Sequence, residues 1–320
     1  MNRSPTVAMT SGNARATSSP VRTTVGDWRL VRPLSVSPRA KVFEACPASQ
    51  DHDAPGEYIA KILSADLTGD ARAVAMFRRE VCVGGKVCHR HLVPVVDAGT
   101  TPDAMYLVMP RVDGTTLEER LSAIGRFEWD QACWIVRQAA QALAYLHSEG
   151  WLHGDIKPSN LLVADDGHVT LLDLGFVQPL ARAEASSAAT SVAQIRHADS
   201  SQISPCLIGT LKYLAPERLS CGGPITTASD VYSLGLMMHE MLAGVHPYAS
   251  TDDAQLARMH RETLPGDLRD IDPTIPESLA NLLPEMLAKD PLRRLASCDP
   301  VIRCLVSLEI AALSQARVSA

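Results

Sequence analysis

The sequence predicts an α+β chain with two lobes, a smaller strand-rich one followed by a larger, mostly helical one. Before residue 110, short runs of β-branched and aromatic residues alternate with polar turns, which is typical of strands. From Leu117 onward, apolar residues recur at helical spacing. The connector "RVDG" follows Pro110 and separates the two patterns, so a hinge is expected at 110–114. A chain of 320 residues is long enough to hold two separate cores.

The small lobe is expected to span residues 27–109 and to contain several strands and one main helix. The stretches "WRLVRPL" and "AKVFEAC" predict a hairpin, and "EYIAKIL" predicts the next strand. A helical stretch, "ARAVAMFRREVCVGGKV", comes next. Two further strand candidates, "VPVVDAG" and "AMYLVMP", complete the lobe, and Pro110 ends the second of them.

The large lobe is expected to span residues 115–310. Helical periodicity and the closing Gly150 mark "DQACWIVRQAAQALAYLHSEG" as a helix, with Asp130 as a plausible N-cap. Two short strands, "NLLVAD" and "HVTLLD", flank the turn "DDG". The stretch "ASDVYSLGLMMHEMLAG" is apolar nearly all round, which predicts a helix buried in the core.

Three segments do not fit these patterns. Residues 1–26 are rich in Ser, Thr and small residues and are expected to form a disordered tail. Residues 181–206 are rich in Ala and Ser, which favours a long flexible loop over a marginal helix. Residues 311–320 are expected to form a C-terminal tail after the last domain residue. No apolar run approaches the roughly 18 residues that cross a bilayer, and no signal peptide is present, so a cytoplasmic chain without a membrane anchor is expected.

The composition argues against several function classes. A net charge of -6 and an aromatic content of 4% do not favour nucleic acid as the main partner. The eight cysteines form no CxxC pair, which favours reduced thiols over a disulfide framework. The cluster "CHRH" at 88–91 has no matching ligand pair at zinc spacing, so a metal site there is disfavoured.

The stretch "LHGDIKPSNLLV", residues 152–163, concentrates chemistry-bearing groups between apolar residues. Asp155 could simply cap a turn, or it could act as a base that orients a hydroxyl group. Lys157 could neutralise phosphate charge, and Asn160 could hold a hard cation through its carbonyl oxygen. Asp173 ends an apolar strand and precedes "LG", a good position from which to project a metal ligand into a cleft.

Five motifs in order resemble eukaryotic-type protein kinases, particularly the bacterial Ser/Thr kinases. "HGDIKPSN" resembles the catalytic loop, "DLG" at 173–175 the metal-binding motif, and "GTLKYLAPE" at 209–217 the segment that ends the activation loop. "SDVYSLGLMMHEMLAGVHPY" resembles a buried helix of the family, and "DPLRR" at 290–294 resembles a late arginine motif. The resemblance covers residues 27–310. It implies the bilobal protein kinase fold, with a small antiparallel sheet and one main helix before a mostly helical lobe.

The resemblance implies that ATP, with Mg²⁺, donates its γ-phosphoryl group to a Ser or Thr hydroxyl of a protein substrate. Asp155 would accept or orient the hydroxyl proton, and Lys157 would contact the γ-phosphate. Asn160 and Asp173 would hold Mg²⁺. The family's remaining functional positions correspond to Lys61 with its helix partner Glu80, the nucleotide-contacting Val42, Ile59, Met109, Pro110, Val112 and Leu162, the structural residues Glu217, Asp230 and Arg294, and the substrate-facing Thr210.

The phosphate loop departs from the family pattern. In "SVSPRAKV", Ser35, Ser37 and Ala40 stand where the family has glycine. A non-Gly residue held at positive φ costs about 1–2 kcal/mol. One or two such penalties predict about 10- to 100-fold weaker nucleotide binding, which the charges of Arg39 and Lys41 could partly offset.

Two further positions depart from the family. Gly154 replaces an arginine that in the family binds a phosphorylated loop residue, so activity is expected not to depend on loop phosphorylation through this contact. Ile59 stands where the family usually has alanine, two residues before the lysine, and would press on the adenine. The neighbouring Ala60 leaves open a local shift of the alignment.

Two alternatives stay open at this point. The glycine-free loop is also compatible with a pseudokinase, a scaffold with weak or no catalysis. "HGD" with a downstream Asn also resembles aminoglycoside-type small-molecule kinases, but those lack "LAPE" and "SDVYSLG", which this chain has. If the chain is active, Ser and Thr residues of 186–204 are expected to be autophosphorylated.

Overall fold

The computed structural model describes residues 24–51, 55–180, 211–219 and 226–318. Its N-terminal part is a six-stranded antiparallel sheet in the order β1-β2-β3-β4-β6-β5. The strands are β1 (Thr24–Val25), β2 (Trp28–Val36), β3 (Ala40–Pro47), β4 (Tyr58–Leu63), β5 (Asp97–Thr101) and β6 (Ala104–Pro110). Together with a mostly helical C-terminal part, this sheet confirms the predicted two-lobed α+β fold.

Alternation along the strands gives this sheet two apolar faces. One face carries Ala60, Ile62, Tyr106 and Val108 in a buried cluster. On the other face, Leu63 and Leu107 pack against Phe77 of helix α1 (Ala71–Gly84). The Asp70 side chain caps α1 by accepting hydrogen bonds from the amides of Arg72 and Ala73. Because β4 alternates, Lys61 lies on the face that packs on α1.

Two sequence expectations for the small lobe need correction. The strand predicted in "VPVVDAG" begins only at Asp97, because the Val95 amide donates to the Gly84 carbonyl at the end of α1 and not to a neighbouring strand. The sheet starts at Thr24, inside the segment predicted to be a disordered tail. Residues 1–23 and the predicted loop 181–206 lie outside the described residues.

The large lobe is built on helices packed around one extensive apolar cluster. Helix α5 (Thr227–Ala243) is buried at nearly every position from Ala228 to Leu242, as its all-round apolar sequence predicts. Helix α3 (Trp129–Ser148) begins one residue before Asp130, after Glu128 as N-cap. The helices of this lobe are α2 (Leu117–Ile124), α3 (Trp129–Ser148), α4 (Pro216–Leu219), α5 (Thr227–Ala243), α6 (Asp253–Glu262), α7 (Glu277–Met286) and α8 (Asp299–Val318).

Short strands of the large lobe present loops toward the small lobe. A three-stranded sheet has the order β10-β9-β7, and a two-stranded one pairs β11 with β8. Their bounds are β7 (Thr115–Thr116), β8 (Trp151–Leu152), β9 (Leu161–Val163), β10 (Val169–Leu171) and β11 (Gln178–Pro179). The predicted strands in "NLLVAD" and "HVTLLD" are β9 and β10.

The C-terminal helix α8 continues past residue 310, the predicted end of the domain, to Val318. No helix in the described ranges is both long enough and apolar enough to cross a membrane.

Candidate active site

The loop that follows β8 is fastened to the buried helix α5 by one carboxylate. Asp230 accepts hydrogen bonds from the backbone amides of His153 and Gly154, both at 2.9 Å. His147 Nε2 lies 2.9 Å from the same carboxylate. Burial alone would raise the pKa of Asp230, but the hydrogen bond and charge of His147, with the two loop contacts, lower it. The ionised carboxylate therefore holds the loop backbone in one conformation.

Within this loop, the three polar residues singled out in the sequence come together. Lys157 Nζ donates to Asp155 Oδ2 at 2.6 Å. Asn160 Nδ2 donates to the Asp155 carbonyl at 2.7 Å and to Asp155 Oδ2 at 3.0 Å. Pro158–Asn160 form a single 3₁₀ turn, which brings the Asn160 amide back over Asp155. The position of the Asp155 carboxylate is thus fixed by two neighbours.

A second cluster joins the two lobes. Lys61 on β4 donates to both oxygens of Glu80 on α1, at 2.7 and 2.9 Å, and to Asp173 Oδ1 at 2.8 Å. Asp173 lies just after β10 in the large lobe. One ammonium group is therefore shared between two carboxylates that belong to different lobes.

The charges in this cluster are strongly coupled. Burial together with the nearby Asp173 charge raises the pKa of Glu80 to about 7, although Lys61 acts in the opposite direction. Burial would lower the pKa of Lys61, but the two carboxylates outweigh it and raise the pKa. For Asp173, the effect of burial is outweighed by Lys61 and the Gly175 amide, so its pKa is lowered. Of the two carboxylates, Asp173 therefore has the lower pKa.

The backbone at Asp173 is unusual. Its φ of 59° is the single positive value at a non-glycine residue within the described ranges. The Gly175 amide donates to Asp173 Oδ1 at 3.1 Å. A Cβ atom on Gly175 would lie 3.0 Å from Asp173 Oδ1 and 3.2 Å from Glu80 Oε2. The glycine therefore allows the turn to approach both carboxylates closely.

The oxygen atoms next to these contacts fit Mg²⁺. No residue in the described ranges donates a hydrogen bond to Asp173 Oδ2 or Asn160 Oδ1. Mg²⁺ prefers hard oxygen ligands and is usually bound by one or two carboxylates together with substrate phosphates. The described residues hold no cluster of three or more His, Cys, Asp or Glu suited to a metal, so phosphate oxygens would have to complete such a site.

Strand register places the candidate nucleotide contacts on one face of the small-lobe sheet. Val42 pairs with Lys61, and Ile59 pairs with Met109. Ile59 has the same parity as Lys61, whereas Ala60 is fully buried in the opposite cluster. The register therefore argues against a one-residue shift of the alignment that would put Ala60 in place of Ile59. Such a shift would require Ala60 to lie on the same face as Lys61, whereas it lies on the opposite face.

The connector between the lobes leaves a backbone donor available. No residue in the part of the chain that the structure describes accepts a hydrogen bond from the Val112 amide, whereas the Arg111 amide donates to the Glu57 carbonyl. Pro110 is half-buried at the end of β6, and Leu162 is half-buried on β9. An edge-on heterocycle could therefore pair with the backbone at Val112.

The glycine-free phosphate loop is not strained in the way the sequence suggests. Neither Ser35, Ser37 nor Ala40 has a positive φ. Ser35 belongs to β2 and pairs with Val42, and Ala40 begins β3. The predicted backbone penalty is therefore wrong for this chain, because β2 and β3 stay paired up to the turn at residues 37–39 without positive φ, although their register shifts between Pro33 and Ser35.

An arginine that the sequence did not single out contacts the loop that follows β8. Arg218, on α4, donates from Nη1 to the Gly154 carbonyl. Gly154 has φ +77°, and a Cβ there would lie 2.9 Å from the Phe176 carbonyl oxygen. Burial lowers the pKa of Arg218, while the charges of Asp230 and Asp155 act against this shift. The space beside Gly154 thus already contains a cation from another part of the chain.

The residues assigned structural roles form a buried pair. Arg294 donates to the two oxygens of Glu217 at 2.8 and 3.1 Å, and Ser229 Oγ donates to the same carboxylate at 2.7 Å. This pair connects α4 to the segment before α8. Thr210, the predicted substrate-facing residue, lies outside the described residues.

Sequence reasoning missed the roles of His147 and Arg218. Helical spacing gives no sign that His147, near the end of α3, reaches Asp230. Arg218 directly follows Glu217 in "LAPER", but only the packing shows that its side chain is buried.

Comparison with known proteins agrees with this geometry. A family model described as "Protein kinase domain" matches residues 40–303. The chain is 29% identical over 274 residues to serine/threonine-protein kinase PrkC of Bacillus subtilis, covering 86% of this chain and 39% of that protein. It is also 29% identical over 283 residues to serine/threonine-protein kinase PknH of Mycobacterium tuberculosis, covering 88% of this chain and 42% of that protein. The chain thus spans less than half the length of these relatives. The match to the family model covers most of the sequence, and the chain belongs to the protein kinase domain family.

Proposed function

We propose that this chain is an ATP-dependent protein serine/threonine kinase that transfers the γ-phosphoryl group of ATP to a Ser or Thr hydroxyl of a protein. The observation that carries this proposal is the convergence of Asp155, Lys157 and Asn160 on one buried loop that Asp230 holds by the backbone. Because Asp230 fixes two backbone amides of this loop, the three side chains are supported in one arrangement before any substrate binds.

Each group of the site has a separate part in the proposed reaction. Asp155, fixed by Lys157 and Asn160, would orient the attacking hydroxyl and accept its proton. Lys157 would also offer its charge to the transferred phosphoryl group. Mg²⁺ bound with ATP would neutralise the charge that develops on the phosphate oxygens, with Asp173 and Asn160 as its protein ligands.

The Lys61–Glu80 pair would position the nucleotide. Lys61 Nζ, held by both oxygens of Glu80, would contact the α- and β-phosphates. The adenine would lie between Val42 and Leu162, with Ile59 above it and Met109 behind it. The backbone of Pro110 and Val112 would bind the edge of the adenine ring.

The choice of Ser and Thr as acceptors is supported by the printed names of the relatives, both of which are serine/threonine-protein kinases. The name of a longer relative does not identify the substrate of this chain. We therefore propose the acceptor chemistry and no particular protein.

The direct test is intact-mass analysis of the purified chain after incubation with Mg-ATP. We expect the wild type to gain the mass of one or more phosphoryl groups and Asp155→Asn to gain none. Asp165→Asn is the matched control, because Asp165 has a fully exposed side chain in the nearby turn. It should behave as the wild type.

Mapping the modified residues would then test whether Ser and Thr residues of 186–204 are acceptors. If the wild type modifies neither itself nor a general protein substrate, the proposal fails and a non-catalytic scaffold becomes the better interpretation. Transfer to an aminoglycoside but to no protein would instead indicate a small-molecule kinase.

A further inference from the structure

We propose that Arg39, at the turn between β2 and β3, binds the phosphate groups of the nucleotide with its side chain and thereby replaces the backbone amides of a glycine-rich loop. This inference rests on the proposed function, since it concerns the same nucleotide site. The sequence offered the charges of Arg39 and Lys41 together as a partial offset, whereas the geometry singles out Arg39 and directs Lys41 to the opposite face of the sheet.

The first observation is that the turn has no backbone donor to offer. Pro38 has no N–H. The Ser37 amide donates to the Ala40 carbonyl at 2.9 Å. The Ser37 hydroxyl oxygen accepts hydrogen bonds from the amides of Arg39, at 3.3 Å, and Ala40, at 3.1 Å. Every amide from residue 37 to 40 is therefore missing or already used within the turn, so a phosphate there must be bound by side chains.

The second observation is the direction of the Arg39 side chain. Its guanidinium carbon lies 4.7 Å from the centroid of the Phe176 ring. Phe176 ends the 3₁₀ turn that begins after Asp173 in the large lobe. A cation–π contact of this kind is weak enough to be exchanged for a stronger ligand. The side chain thus reaches from the small lobe across the cleft toward the metal-binding aspartate.

The third observation concerns charge. Lys61 is paired with Glu80 and Asp173, and Lys157 is paired with Asp155. Arg39 forms no ion pair within the described ranges, although it is partly buried. A guanidinium group can donate two parallel hydrogen bonds to phosphate oxygens. Among the residues that the structure describes, Arg39 therefore has no anionic partner, and its guanidinium group could bind an anion.

The turn is also fixed relative to the rest of the site. The Ser64 amide donates to the Arg39 carbonyl at 2.9 Å, and Ser64 directly follows β4, the strand that carries Lys61. This contact ties the turn that carries Arg39 to the end of the strand that carries Lys61. Lys41 provides a natural comparison, since it pairs with Ile62, has an exposed side chain and projects from the opposite face of the sheet.

The test is to measure dissociation constants for ATP and for adenosine by titration calorimetry, with Asp155→Asn as the background to prevent turnover. We expect Arg39→Ala to weaken ATP binding by about 10- to 100-fold, the range for hydrogen bonds between charged groups, and to leave adenosine binding unchanged. Arg39→Lys should retain part of the ATP affinity. Lys41→Ala removes the same charge on the other face and should change neither constant.

Equal weakening of ATP and adenosine would overturn the inference, because it would mean that Arg39 only supports the shape of the loop. Unchanged ATP binding in Arg39→Ala would overturn it as well. These results are distinguishable from failure of the proposed function. If the proposed function failed, the wild type would bind ATP without transferring phosphate, or Asp155→Asn would transfer phosphate as well as the wild type.

Discussion

Removing the guanidinium group of Arg294 should destabilise the large lobe more than any surface substitution. Its side chain is fully buried, and that of Glu217 is 4% exposed. In addition to Glu217, Arg294 donates to the backbone carbonyls of Ala228, Ala288 and Lys289. In Arg294→Ala, the carboxylate would stay buried without its counter-charge. Breaking one partner of a buried ion pair costs about 3–5 kcal/mol.

That cost is large, because the free energy of unfolding of a typical domain is only about 5–15 kcal/mol. At about 2–4 °C for each kcal/mol in a domain of this size class, the melting temperature should fall by about 6–20 °C. The measurement is urea and thermal unfolding followed by circular dichroism. Arg293→Ala is the control, since the Arg293 side chain is 86% exposed and its contact with Asp290, at 3.8 Å, is a surface pair.

A double variant separates the ion pair from simple loss of packing. In Arg294→Met with Glu217→Leu, no unpaired charge is left, so the loss of stability should be smaller than the sum of the two single losses. The reasoning is refuted if Arg294→Ala melts within the error of Arg293→Ala, or if the two single losses simply add.

Three further predictions concern the loop that follows β8 and one buried histidine. In Gly154→Ala, the free energy of unfolding should fall by about 1–2 kcal/mol, because residue 154 has a positive φ that alanine adopts with strain. An unchanged urea midpoint would contradict this. Asp230→Ala leaves the buried amides of His153 and Gly154 without an acceptor, so the free energy of unfolding should fall by about 1–3 kcal/mol for each amide. The variant should also lose phosphotransfer in the intact-mass assay, and full activity would argue against the anchoring role of Asp230. Burial lowers the pKa of His260 to about 3, so the unfolded chain binds a proton below about pH 6.5 that the folded chain does not. Stability should therefore fall as pH decreases from about 6.5, by up to about 1.4 kcal/mol per pH unit for this residue, and His260→Leu should flatten that slope between pH 7 and 5.

The sequence alone predicted the features that depend on neighbouring residues. Strand alternation and helical periodicity identified most elements, because each pattern reflects burial on one face of a local structure. Asp155, Lys157 and Asn160 lie within six positions, so a single turn is sufficient to bring their side chains together. Where a strand was predicted too early, before Asp97, the cause was a contact that the local pattern does not contain, the hydrogen bond from the Val95 amide to Gly84 of α1.

Only the tertiary structure decided the contacts between distant residues. Lys61 and Asp173 are 112 positions apart, and their 2.8 Å contact depends on how the two lobes pack. The phosphate loop shows the same limit. Its sequence suggested strained glycine positions, but the turn uses the Ser37 hydroxyl to satisfy its own amides without positive φ. The contact between Arg218 and Gly154 likewise depends on how α4 packs against the loop, because the two residues are far apart in the sequence. Backbone preferences are set by adjacent residues, whereas the pairing of buried charges depends on which surfaces the fold brings into contact.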